Sequence, residues 1–132
     1  MPIEYIKFIT RRMIKATPSA RFVFGDNAAR TGLGGQAKEM RGELNSIGVA
    51  TKWRPEMNEK DFFVDWNPAC RTVMMLDLGR VSDALKQNLT VYAPIDGLGT
   101  GYSQLPARAP KLYAELCAFF EKNSPQGCPW PN

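Results

Sequence analysis

Short apolar runs alternate with amphipathic segments along the chain, and this order predicts strands separated by helices. Runs rich in β-branched and aromatic residues predict four strands, over residues 3–9, 21–25, 47–53 and 89–94. Apolar residues at helical spacing predict three helices, over about residues 36–44, 77–87 and 107–122. Because strands alternate with helices, we expect a single-domain, three-layer α/β/α fold with helices on both faces of the sheet.

The remaining segments carry weaker patterns. Residues 11–16 form a basic connector with room for a short helical turn, and residues 56–68 are predicted as a loop with one short strand. Residues 73–76 fit a strand or a helix, and Asp77 is predicted to cap the helix that follows. The α/β domain is expected to occupy residues 1–123, and residues 124–132 to form a Pro-rich tail with Cys128 exposed.

Two glycine-dense turns follow two of the predicted strands. Each turn leads from a strand toward a predicted helix, and ligands of open α/β sheets bind at such strand ends. Glycine lets the backbone approach a phosphate closely and point successive N–H groups at it. The predicted ligand-binding residues are therefore Gly25, Asn27, Arg30, Gly34, Gly35 and Gln36 in the first turn and Gly97, Leu98, Gly99, Thr100 and Gly101 in the second.

Each turn also contains an acidic residue. Asp26 ends the first of these strands and Asp96 precedes Gly97, so both are candidates to orient a water molecule if the protein is an enzyme. Capping of turns and helix starts is the alternative role for these carboxylates. Neither turn is a Walker loop, since no Gly-Lys-Ser/Thr follows, and neither fits the dinucleotide-binding fingerprint.

Composition restricts the chemistry available to these turns. The 132 residues include no histidine, which excludes Ser-His-Asp and Cys-His nucleophile pairs and histidine-dependent zinc sites. The three cysteines are widely separated, so we predict neither a metal site nor a cofactor. A net charge of +4, from 17 Lys+Arg and 13 Asp+Glu, suits an anionic ligand without requiring a nucleic acid.

Residues 20–120 resemble a family of short, uncharacterised bacterial and bacteriophage proteins. The resemblance lies in Phe-Gly-Asp-Asn27, in the stretch Gly35–Lys52 and in Ala-Pro94-Ile-Asp-Gly-Leu-Gly-Thr-Gly101. More distantly, Asn27-Ala-Ala-Arg30 and the two glycine turns resemble macrodomains, the ADP-ribose-binding modules. This likeness implies a mixed sheet, with Asn27 near the distal ribose and the glycine turns around the diphosphate. Arg30 stands where the macrodomain loop has a second Asn.

Three functions are compatible with these residues. The favoured one is binding of a diphosphate-containing nucleotide, ADP-ribose-like or cyclic, with the phage resemblance implying capture of a host signalling nucleotide. The second is hydrolysis of an ADP-ribosyl bond, with water positioned by Asp26 or Asp96. The third is binding of nucleic acid or another protein through Arg11, Arg12, Lys15 and the exposed aromatic residues.

The expected partner is a small nucleotide-like molecule rather than a nucleic acid, and the sequence leaves homo-oligomerisation open. No apolar run reaches the roughly 18 residues of a membrane span. The N-terminus lacks the basic and apolar regions of a signal peptide. We therefore expect no membrane partner and a cytoplasmic location, the host cytoplasm if the protein is phage-encoded.

Overall fold

The fold is described by a computed structural model that covers residues 2–131. Its elements are β1 (Ile3–Ile6), α1 (Arg11–Ala16), β2 (Ala20–Asn27), α2 (Ala37–Met40), β3 (Ser46–Lys52), α3 (Pro68–Lys86), β4 (Thr90–Pro94), α4 (Leu105–Arg108) and α5 (Pro110–Lys122). A short 3-10 helix, Glu59–Asp61, lies between β3 and α3. The predicted α/β class is confirmed.

The four strands form one sheet in the order β1-β4-β2-β3, and each of its pairings is parallel. The macrodomain likeness implies a mixed sheet; among residues 2–131 the antiparallel pairing is confined to one isolated bridge, Lys52 with Phe62. Helical segments lie between successive strands, so the chain returns to the same edge before each new strand begins. All four strands therefore end at one edge of the sheet.

Helices cover both faces of this sheet, as predicted, because the strands bury side chains on both sides. Val23 of β2 packs into the larger core, which is formed with α3 and α5. Its neighbours Phe22 and Phe24 pack into a second core with Ile14 of α1 and Met40 of α2. The sheet is thus the middle of three layers.

The helix boundaries differ from those predicted. The helix expected from Asp77 begins instead at Pro68, where the Asn67 side chain accepts a hydrogen bond from the N–H of Ala69. The helix predicted over 36–44 ends at Met40, just before Gly42 adopts a φ of +90°. The final helix is split because Pro110 holds the preceding residue out of the helical conformation and starts a new helix.

The stretch that follows α5 packs against the domain. Trp130 is only 3% exposed, its ring centroid lies 4.4 Å from that of Phe120, and it makes an edge contact with Tyr5. The indole N–H donates to the carbonyl of Pro94 at 2.9 Å. Cys128, predicted to be exposed, is half-buried beside this cluster. The end of the chain therefore contributes to the core.

Among residues 2–131, no helix combines the length and apolar character that crossing a bilayer requires.

Candidate functional site

A cavity of about 570 Å³ opens where β2, β3 and β4 end. β2 and β4 are neighbours in the sheet, but the chain leaves β2 toward α2 on one face and leaves β4 toward α4 and α5 on the other. This divergence is the topological switch point at which open α/β sheets bind ligands. The cavity is lined by Gly25, Asp26, Asn27, Thr31, Gly32, Gly34, Gly35, Gln36, Ala37, Arg41, Thr51, Lys52, Pro55, Met57, Gly97, Gly99, Thr100, Gly101, Tyr102 and Ser103.

The two predicted glycine turns meet at this cavity. With the exception of Arg30, Leu98 and Asp96, the predicted site residues all line it. Leu98 is fully buried in the larger core, and Asp96 is exposed, with its carbonyl accepting a hydrogen bond from the Thr100 hydroxyl. The turns also touch each other, because a Cβ on Gly25 would lie 3.5 Å from the amide nitrogen of Gly99.

Both turns present backbone N–H groups that the protein itself does not use. Within residues 2–131, the N–H groups of residues 32–36 and 98–103 donate to no protein acceptor. Most of these residues line the cavity. Runs of free N–H groups in glycine-rich turns form concave sites for anions. A helix N-terminus adds little to these N–H groups, since α2 and α4 each have only four residues.

Two predicted ligand-binding side chains hold the turns in place. The Gln36 side chain accepts a hydrogen bond from the N–H of Gly25 at 2.8 Å and donates to the carbonyl of Gly97 at 3.0 Å, so it joins the two turns. The Asn27 amide closes its own turn by donating to the carbonyl of Thr31 at 2.8 Å. Both side chains therefore shape the cavity wall, and a ligand would meet them only through their remaining lone pairs and protons.

Asp26 is buried and engaged in ion pairs. Its carboxylate accepts a hydrogen bond from Arg41 at 2.6 Å, a longer one from Arg30 at 3.4 Å, and one from the N–H of Asn27. Arg41 also donates to the carbonyls of Thr31 and Gly32. The Asp26–Arg41 pair therefore ties the first turn to the end of β2. This geometry gives the Asp26 carboxylate a structural role. A catalytic role for Asp26 stays a prediction.

Arg30, predicted to contact phosphate, is not among the residues that line the cavity. Its guanidinium forms two hydrogen bonds with Asp77 of α3, at 2.7 and 2.8 Å. Asp77 also pairs with Arg80 and accepts a hydrogen bond from the buried N–H of Ala50 in β3. The sequence pattern did not reveal this role because it places Asp77 at a helix start. The available signal for a buried pair is a carboxylate inside a helix, on the same side as Met74, Leu78 and Val81.

Replacement of Asp77 by alanine is expected to lower the free energy of unfolding by about 2–3 kcal/mol. The variant leaves the N–H of Ala50 buried without an acceptor, while Arg30 and Arg80 retain access to water. Urea denaturation measures the change. Asp83→Ala, at an exposed position of the same helix, is the matched control and should change stability by less than about 0.5 kcal/mol. Equal effects of the two substitutions would contradict the assigned role of Asp77.

Lys52 is a cavity residue that the sequence analysis did not single out. It ends β3, is 4% exposed, and lies with its Nζ 4.4 Å from the centroid of the Phe62 ring. The Nζ donates to the carbonyl of Glu56 at 2.7 Å and contacts the sulfur of Met57 at 3.3 Å. Burial lowers the pKa of the Lys52 ammonium from its ordinary value. Its place at the carboxyl end of a predicted strand was the available signal.

Other lining residues come from the same strand ends. The hydroxyls of Thr51 and Ser103 form a 2.7 Å hydrogen bond that links the end of β3 to the turn after β4. Tyr102 and Met57 are exposed and line the cavity, so a planar group of a ligand would have apolar surface to contact. Within residues 2–131, no three Cys, Asp or Glu side chains come together as metal ligands would.

Residues 4–119 match a family of unknown function, DUF7831. The chain belongs to the DUF7831 family. The match runs from β1 into α5, so it includes both glycine turns and Lys52, whereas Trp130 lies beyond it. No curated protein and no solved structure matches the chain. Membership in DUF7831 leaves the ligand of the cavity to be inferred from its geometry.

Proposed function

We propose that this protein binds a diphosphate-containing nucleotide, ADP-ribose-like or cyclic, in the cavity between the turns that follow β2 and β4. The observation that carries the proposal is the pair of backbone runs, 32–36 and 98–103, whose N–H groups have no protein acceptor. A diphosphate presents many acceptor oxygens and a negative charge, which is the chemistry that such N–H groups bind.

The size and charge of the cavity support a ligand of this kind. A volume of about 570 Å³ lies within the usual range for small-molecule sites, about 300–1,000 Å³. Its charged lining residues are Asp26, Arg41 and Lys52, which together carry one net positive charge. The absence of histidine favours holding an anion over moving protons near neutral pH.

The likeness of Asn27-Ala-Ala-Arg30 to the macrodomain loop supports ADP-ribose as the first compound to test. The resemblance to phage proteins supports a biological role in which the protein captures a host signalling nucleotide. Arg30 departs from the macrodomain pattern, and its guanidinium pairs with Asp77 and Asp26 and does not line the cavity. For this reason the proposal rests on the turns and leaves the base of the nucleotide open.

A thermal-shift screen with ADP-ribose, NAD and cyclic dinucleotides tests the proposal. A ligand present at 100 times its Kd stabilises the folded state by about 2.7 kcal/mol, which raises the Tm of a domain this size by about 10 °C. We expect at least one of these compounds to give such a shift at millimolar concentration. The contrary result is that no compound shifts the Tm while the protein binds RNA with an affinity that falls steeply with salt. The nucleotide-binding proposal would then be wrong, and the basic segment around Arg11 and Arg12 would be the functional surface.

The chemical state of the ligand recovered from the complex distinguishes binding from hydrolysis. We expect ADP-ribose compounds to be released intact when the complex is denatured, because Asp26 is engaged by Arg41 and Asp96 lies outside the cavity lining. Product that accumulates with time, and that is lost in Asp96→Asn or Asp26→Asn, would instead identify an ADP-ribosyl hydrolase. Chromatography of the released ligand makes this distinction.

A further inference from the structure

The charged groups that line the cavity differ in whether they have a partner. Asp26 and Arg41 form a close ion pair, and Arg41 also donates hydrogen bonds to the backbone carbonyls of Thr31 and Gly32. Lys52 forms no ion pair with a carboxylate among residues 2–131. The net positive charge of the cavity therefore resides on Lys52.

The Lys52 ammonium is buried with few acceptors. An ammonium carries three N–H donors, and here one is directed to the carbonyl of Glu56 while the sulfur of Met57 is a weak acceptor. The Phe62 ring, 4.4 Å away, supplies a cation–π contact that offsets part of the lost hydration. The third N–H donor of the ammonium has no acceptor among the described residues, and Lys52 lines the cavity.

Asp61 and Glu56 act on the Lys52 ammonium only from beyond ion-pair distance. Burying an ammonium without a carboxylate in direct contact is costly, and proteins rarely keep such a group for stability alone. Charged groups that do remain in this state are concentrated at binding and catalytic sites. An anion in the cavity would complete the coordination of Lys52. The burial of Lys52 and the free N–H groups of the glycine turns are independent observations that indicate the same kind of ligand.

We propose that Lys52 binds a phosphate group of the ligand directly and is the side chain that selects anionic over neutral ligands. This inference rests on the proposed nucleotide-binding function and extends it by assigning the charge recognition to one residue. The glycine turns then hold the phosphate through backbone N–H groups, and Lys52 contributes a charge-assisted hydrogen bond. A ligand with the same nucleoside and no phosphate would gain nothing from Lys52.

Titration calorimetry with ADP-ribose and with inorganic pyrophosphate tests the role of Lys52. Lys52→Met keeps an unbranched apolar side chain and removes the charge, so we expect a Tm within a few degrees of the wild type and affinity for both ligands about 10- to 100-fold weaker. Adenosine should bind the variant and the wild type equally. Lys60→Met, at an exposed position outside the cavity lining, is the matched control and should bind like the wild type.

Labelling with pyridoxal phosphate gives a second measurement that needs no nucleotide. The neutral Lys52 amine attacks the aldehyde to form an imine with loss of water, and borohydride supplies the hydride that reduces the imine to a stable secondary amine. The reagent carries its own phosphate, and the lowered pKa of Lys52 increases the fraction of neutral amine. We expect label at Lys52 ahead of the other seven lysines, and protection by pyrophosphate.

The outcomes separate this inference from the proposed function. Undiminished ADP-ribose affinity in Lys52→Met would overturn the role of Lys52 and leave nucleotide binding intact. Pyrophosphate binding that depends on Lys52, with no binding of any nucleotide, would support Lys52 and overturn the nucleotide proposal. If neither pyrophosphate nor any of the screened nucleotides binds the wild-type protein, both are wrong.

Discussion

Replacement of Trp130 by alanine is expected to lower the free energy of unfolding by about 3–5 kcal/mol, the usual cost of truncating a buried aromatic side chain to alanine. Trp130 packs against Phe120 of α5 and Tyr5 of β1, and its indole N–H satisfies the carbonyl of Pro94 at the end of β4. The variant loses this packing and leaves a cavity in the larger core. Urea denaturation followed by tryptophan fluorescence or circular dichroism measures the difference.

Trp66→Ala provides the matched control. Trp66 is 82% exposed, so its removal should change stability by less than about 0.5 kcal/mol. If Trp130→Ala is as mild as Trp66→Ala, the segment after α5 does not contribute to the core in solution. A loss of several kcal/mol would instead show that residues 124–131 are required for a stable domain.

This contact illustrates what the sequence pattern cannot indicate. The Pro-rich composition of residues 124–132 predicts a tail, because proline and glycine break regular elements. Nothing in that composition reveals that a single tryptophan reaches the gap between the first strand and the last helix. Burial of an isolated side chain depends on tertiary contacts between distant residues, whereas element type depends on local periodicity.

The strands were predictable because their signal is local and strong. β2, β3 and β4 each fall within one or two residues of the predicted runs, and the alternation of strands with helices correctly indicated helices on both faces. The start of α3 differs from the prediction because Asn67-Pro68 ends a polar and aromatic stretch typical of a loop, although asparagine followed by proline is also a helix-start signal. The missed start placed Asp77 at a cap instead of inside the helix.

The candidate site, like the strands, was predictable where its sequence signal is local. Glycine turns after adjacent parallel strands must converge, so the sequence indicated half of the residues that line the cavity, 10 of 20. It did not indicate which polar side chains hold the turns together and which face the cavity. Gln36 and Arg41 fix the geometry through backbone carbonyls and Asp26, and only their partners in the fold reveal that role.

Replacement of Gly99 by valine is expected to destabilise the turn after β4 and to abolish ligand binding there. Gly99 has a φ of +74°, and a Cβ there would lie 3.0 Å from Leu105 and 3.1 Å from Thr51. The left-handed conformation costs a β-branched residue roughly 1–2 kcal/mol, and overpacking adds about 1–3 kcal/mol. We therefore expect the free energy of unfolding to fall by about 3 kcal/mol and nucleotide affinity to be lost, as measured by urea denaturation and calorimetry.

Gly101→Val distinguishes loss of the site from loss of the fold. Gly101 lines the same cavity, but a Cβ at this position meets no atom within 4 Å and its φ is outside the left-handed region. The variant should keep wild-type stability while its side chain occupies space that the ligand needs, so ADP-ribose affinity should fall at least tenfold. If Gly99→Val and Gly101→Val both bind ADP-ribose like the wild type, the turn after β4 does not hold the ligand. Because a basic surface around Arg11 and Arg12 would bind nucleic acid regardless of either substitution, the same two variants also separate the two kinds of ligand.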